Sequence, residues 1–126
     1  MTIKIAYIIT KLELGGAQKS VLYSARHIGD KFTPYLLCGG GGYFDRYAIE
    51  HIKNLTFIRH LKREINPIND LLAFWELGKQ LKAINPQIVH TNSSKAGILG
   101  RLATKIFTKS KIIHSVHGFA FYEGQN

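Results

Sequence analysis

The sequence predicts an α/β fold, a three-layer sandwich on a mostly parallel sheet, and three observations predict it. Apolar, β-branched runs recur at Ile3 to Ile9, Phe32 to Cys38, Ile88 to Thr91 and Lys111 to Val116. Segments with one-sided helical periodicity separate them. Polar and glycine residues gather where the runs end, and in open α/β sheets ligands bind at the carboxyl ends of the strands.

Ile3 to Ile9 is short, apolar apart from Lys4 and rich in β-branched residues, the pattern of a buried strand. After Leu14-Gly15-Gly16 comes a helix carrying Ala17, Val21, Leu22, Ala25 and Ile28 on one stripe, closed by Gly29-Asp30. Phe32 to Cys38 forms the second strand, with Pro34 near its start, where proline is tolerated. It runs into Gly39 to Gly42, which reads as a mobile loop. Asp45 to Lys53 is a short helix and Leu55 to Ile58 a third strand. Asn66-Pro67 or Asn69-Asp70 caps a longer helix ending near Ile84, with Leu77, Leu81 and Ile84 on one face and Trp75 expected in the core. Pro86 stops it. Ile88 to Thr91 is the fourth strand, Ser93 or Ser94 caps a helix bearing Ile98, Leu99, Leu102, Ala103 and Ile106, and Lys111 to Val116 is the fifth strand. Strands joined through helices run parallel with right-handed crossovers, so the arrangement is Rossmann-like.

At 126 residues and 45% apolar composition, the chain is expected to make one domain, residues 1–126. Charges interrupt the apolar stretches well before the ~20 residues needed to cross a bilayer. Neither a leader nor a span is expected, and the single Cys38 fits a reducing, cytoplasmic setting as a small buried thiol. The sequons Asn54-Leu55-Thr56 and Asn92-Ser93-Ser94 carry no weight without a secretory route. A net charge of +9 attracts phosphates, acidic lipids or nucleic acid without choosing among them. The basic residues are dispersed, with no basic block and no aromatic-basic platform, so nucleic acid is not an expected partner, whereas an anionic membrane surface is.

Three groups of residues carry candidate chemistry. Gly15 and Gly16 sit between a strand and its helix, where bare backbone N–H groups face an anion or simply make a tight turn. The G-x-G-x-x-G fingerprint, an acid ending the second strand and a Walker lysine are all lacking. His90 and Asn92, two apart on a strand, share a face, and Ser93, Ser94 and Lys95 add hydroxyls and a charge at the next helix start. That cluster suits a hydroxyl-rich or phosphorylated ligand; alternatively the serines only cap the helix and His90 is a satisfied core histidine. His114 and His117, three apart in a strand, point to opposite faces and cannot share an ion, so no metal is expected. No Gly-x-Ser-x-Gly elbow presents a nucleophile.

Ile3 to Ile9 with Leu14-Gly15-Gly16-Ala17-Gln18, then Pro86 to Gly97, then His114-Ser115-Val116-His117-Gly118-Phe119 together resemble, in order and spacing, the N-terminal domain of glycosyltransferase family 4, with the GT-B fold. The resemblance implies a retaining transferase that moves a sugar from a nucleotide-diphosphate donor, without a metal, to a glycan or lipid-linked acceptor. It implies that Gly15 and Gly16 offer amides to the donor diphosphate and that His117 contacts the donor sugar near the reacting carbon. The acceptor side would be lined by His90, Asn92, Ser93, Ser94 and Lys95. Asn92 stands where many relatives have histidine, and it still donates and accepts hydrogen bonds. The donor-binding C-terminal domain of such enzymes has no counterpart in these residues. Two functional classes follow: the acceptor-side part of a transferase, inactive alone and completed by a C-terminal domain in trans, or a noncatalytic module that binds glycan or anionic lipid. Either is expected in the cytoplasm, the second peripheral to the inner face of the membrane.

Overall fold

The structure is a computed structural model that describes residues 2–12, 16–62, 64–92 and 94–115. Among the described residues five strands and four helices alternate: β1 (Ile3–Lys11), α1 (Gly16–His27), β2 (Phe32–Gly39), α2 (Asp45–His51), β3 (Leu55–Phe57), α3 (Pro67–Ile84), β4 (Ile88–Asn92), α4 (Ser94–Phe107) and β5 (Lys111–Ser115). The sheet order is β3-β2-β1-β4-β5, and every neighbouring pair is parallel.

β1 lies at the centre and is buried on both faces, which is why its sequence is a continuous apolar run rather than an alternating one. Ile5, Tyr7 and Ile9 join Leu36 and Cys38 beneath α1 and α2, while Ala6 and Ile8 join Leu37 and Val89 beneath α3 and α4. Two glycines set how closely the second helical layer packs. A Cβ on Gly100 would stand 2.9 Å from Thr91 Cγ2 and 3.2 Å from Ile8 Cδ1, so α4 rests directly on the sheet. On Gly78 it would meet the Phe107 ring at 2.4 Å, so α3 and α4 interlock side by side.

Asn66, of the two candidate caps, starts α3: its Oδ1 accepts from the N–H groups of Ile68 and Asn69, both at 3.1 Å, with Pro67 following. The helix ends on Asn85 in the left-handed region, φ 52°, one residue before Pro86. β1 extends two residues beyond Ile9, with an irregularity in its pairing to β2, and α2 closes at His51. β3 stops at Phe57, although the Ile58 N–H still donates to the Cys38 carbonyl at 2.7 Å. Val116, expected to end β5, lies outside the described residues.

Trp75 corrects the expectation of a core position, being 50% exposed. Ala73, Leu77, Leu81 and Ile84 form the inward stripe of α3, and Trp75 sits on the opposite pole, its ring against those of Phe74 and Phe107 at 5.9 and 5.6 Å.

Candidate functional site

The strand order reverses between β1 and β4, since β2 and β3 build outward from one side of β1 and β4 and β5 from the other. The helices that leave these two strands lie on opposite faces, α1 on one and α4 on the other. Such a divergence opens a crevice at the strand carboxyl ends, the usual ligand position in open α/β sheets.

The predicted residues converge on that crevice as far as the backbone describes them. Gly16 is the first residue of α1 and Ser94 the first of α4, one at each side of the divergence. Asn92 ends β4, in register with Ile9 of β1 and Ser115 of β5. His90, two residues earlier, pairs in register with Tyr7 and Ile113; it is half-buried, its ring 5.4 Å from that of Tyr7 at 47°. Burial pushes the Tyr7 phenol above its ordinary pKa, so it stays protonated beside the histidine. Gly15, Ser93 and His117 lie outside the described residues.

Lys95 turns towards α3. Its ammonium stands 2.7 Å from Asp70 Oδ1 and donates to the backbone carbonyls of Lys62, at 2.5 Å, and Glu64. With its side chain only 14% exposed, it ties the first turn of α4 to the first turn of α3 and to the segment before it. Asp70 is 25 positions away in sequence, and no local pattern marks the two as partners.

The glycine run after β2, expected to be mobile, is instead a packed junction. A Cβ on Gly39 would fall 2.0 Å from the Leu61 carbonyl oxygen and 2.5 Å from that of Thr10. On Gly42 it would lie 2.5 Å from the Leu12 carbonyl oxygen, and Gly41 adopts φ +84°. Asp45 Oδ2 accepts from the N–H groups of Gly41 and Gly42 at 2.7 and 3.0 Å, so the amides that could hold an anion already hold a carboxylate. An aspartate three residues after the last glycine is the one local hint of this. Cys38 lies beneath the same junction as the expected buried thiol, pushed up to about 12 by burial and by the Asp45 charge.

A parallel sheet with a switch point at its centre defines the class of Rossmann-like α/β domains and selects no one activity. Residues 14–126 match the family Glycosyltransferase Family 4. The chain belongs to that family. It is 36% identical over 120 residues to the UDP-Gal:alpha-D-GlcNAc-diphosphoundecaprenol alpha-1,3-galactosyltransferase of Escherichia coli, a match that covers 94% of this chain and 31% of the relative. Among solved structures it superposes on a glycosyltransferase from Rickettsia africae with a TM-score of 0.75 at 23% identity, covering 99% of this chain and 32% of that one. The lipopolysaccharide outer core galactosyltransferase WaaB superposes with a TM-score of 0.70 at 18% identity, over 91% of this chain and 33% of its own. A UDP-N-acetylglucosamine 2-epimerase from Listeria monocytogenes reaches the same TM-score, 0.70, at 14% identity, so the architecture alone does not select transfer. The chain spans about a third of the length of each of these relatives.

Proposed function

We propose that this chain is the acceptor-side part of a retaining glycosyltransferase, which transfers a hexose from a nucleotide-diphosphate sugar to a lipid-linked or glycan acceptor of the cell envelope and needs donor-binding residues from outside this chain. The observation that carries the reading is the 36% identity to the E. coli enzyme over almost the whole chain, taken with the convergence of the β1 and β4 ends on one crevice. In this reading the amides of Gly15 and of Gly16, the first residue of α1, stabilise the charge that develops on the leaving diphosphate. His117 follows β5 and contacts the donor sugar at the reacting carbon. His90, Asn92, Ser93 and Ser94 bind acceptor hydroxyls, and Lys95, its donors spent on Asp70 and two carbonyls, holds that segment in place. Neither a metal nor another cofactor takes part.

A chimera joining this chain to the remaining two thirds of the E. coli galactosyltransferase tests the assignment. It should transfer labelled galactose from UDP-galactose to the diphosphoundecaprenol-linked acceptor with an α linkage, and His117→Ala should lower the rate by about 100-fold or more. An inactive chimera beside an active parent enzyme, or full activity in His117→Ala, refutes it.

A further inference from the structure

The outer surface of the α3–α4 layer has a composition that a solvated face does not need. Burial of Ala73, Leu77, Leu81 and Ile84 fixes which pole of α3 faces the sheet. The opposite pole of its first half is nevertheless apolar: Ile68 is 73% exposed, and Leu71, Leu72 and Trp75 are exposed beside it. A helix apolar all round is ordinarily buried. α4, which interlocks with α3, continues the surface with Leu102 and with Ile106, 65% exposed.

The charges on this surface have one sign. Lys79 and Lys82 continue the outward pole of α3, and Arg101 and Lys105 stand exposed on α4. The two helices carry two acids, Asp70 and Glu76, and both are engaged sideways. Asp70 pairs with Lys95, and Glu76 accepts from the backbone N–H of His60 at 2.9 Å and lies 3.1 Å from its Nδ1. Exposed aliphatic side chains, a tryptophan and an outward rim of basic residues without outward acids are what an anionic lipid interface binds. A soluble protein partner would need a complementary acidic-apolar surface, whereas a bilayer supplies both parts at once.

We propose that the α3–α4 layer docks flat on an anionic bilayer, with Ile68, Leu72 and Trp75 in the headgroup region and Lys79, Lys82, Arg101 and Lys105 on the lipid phosphates. Because both helices begin at the carboxyl edge of the sheet, docking holds the crevice at the membrane surface, where a lipid-linked acceptor arrives. Only that last consequence rests on the transferase reading.

Trp75 is the chain's single tryptophan, so its fluorescence reports this surface directly. With vesicles of about 30% phosphatidylglycerol in phosphatidylcholine, the emission should shift to the blue and be quenched by brominated acyl chains, and the protein should sediment with the vesicles. About 0.5 M salt should release it. Lys79→Gln with Lys82→Gln should weaken partitioning on the order of 30-fold, from about 1 kcal/mol per basic residue at an anionic surface. Ile68→Gln with Leu72→Gln, both at exposed positions, should remove the blue shift while leaving the circular dichroism of the free protein unchanged. The proposal is overturned by equal binding to phosphatidylcholine alone, by sedimentation without any change at Trp75, or by a dimer in sedimentation velocity that Ile68→Gln with Leu72→Gln dissolves. No donor or acceptor enters the measurement, so its failure would leave the transferase assignment standing.

Discussion

The junctions after β2 and after β4 leave the same edge of one sheet, and they use it in opposite ways. After β2, Gly39 and Gly42 are bare because the carbonyls of Thr10, Leu12 and Leu61 occupy the space a side chain would take, and the loop's amides are closed by Asp45. At the end of β4, the backbone brings Asn92 and Ser94, the first residue of α4, to the divergence between α1 and α4. The difference teaches that glycine at a functional edge is ambiguous. It opens a site only where its amides have no internal acceptor, and at Gly41 and Gly42 they have one.

Substitutions should separate the two junctions by what they damage. Gly39→Ala puts a methyl group inside contact distance of two backbone carbonyls, neither of which can swing aside. It should cost at least about 3 kcal/mol in urea unfolding; a stability within about 1 kcal/mol of the parent would mean that the junction is not packed as described. Lys95→Met keeps the length of the side chain but strands the Asp70 carboxylate, and a loss of about 2 kcal/mol is expected, below the range for fully buried pairs because both partners keep some solvent. Adding Asp70→Asn should recover part of that loss in a double-mutant cycle; strict additivity would show that the pair is not coupled. Asp45→Ala removes the acceptor of two amides and should cost about 1 to 2 kcal/mol by the same measurement. In the chimeric transferase, Asp45→Ala should leave the Michaelis constant for UDP-galactose unchanged, and a large rise would turn the glycine junction from a lock into a donor site.

Much of the fold is legible in the residues because its causes are local. The β-α alternation follows from short runs buried on both faces, and the α3 boundaries follow from Asn66-Pro67 and from Asn85 before Pro86, each acting within one turn of its own position. The parts that are not legible have distant causes. Nothing within Gly39 to Gly42 reveals that the backbones of Leu61 and Leu12 press against it, and nothing near Lys95 points to Asp70. Trp75 fails for a different reason: α3 is apolar on both poles in its first half, so periodicity cannot say which pole turns inward, and tertiary packing decides. Of the site, the glycine turn into α1 and the serine start of α4 are readable from strand and cap patterns, whereas β4 runs to Asn92, one residue past the expected Thr91. The tie between Lys95 and α3 was not.

The placement of β1 also sets a timetable for synthesis. Its partner on one side, β2, follows within about 30 residues, but on the other side Ile5 pairs with Ile88. A ribosome adding about 5 to 20 residues per second leaves that edge of the most apolar strand open for roughly 4 to 16 s. Through that interval the nascent chain carries an unpaired Ile-Ala-Tyr-Ile-Ile edge, a ready template for intermolecular pairing. Yield in the cell should therefore depend on how quickly β4 emerges and on what shields β1 until it does, more than on the stability of the finished sheet.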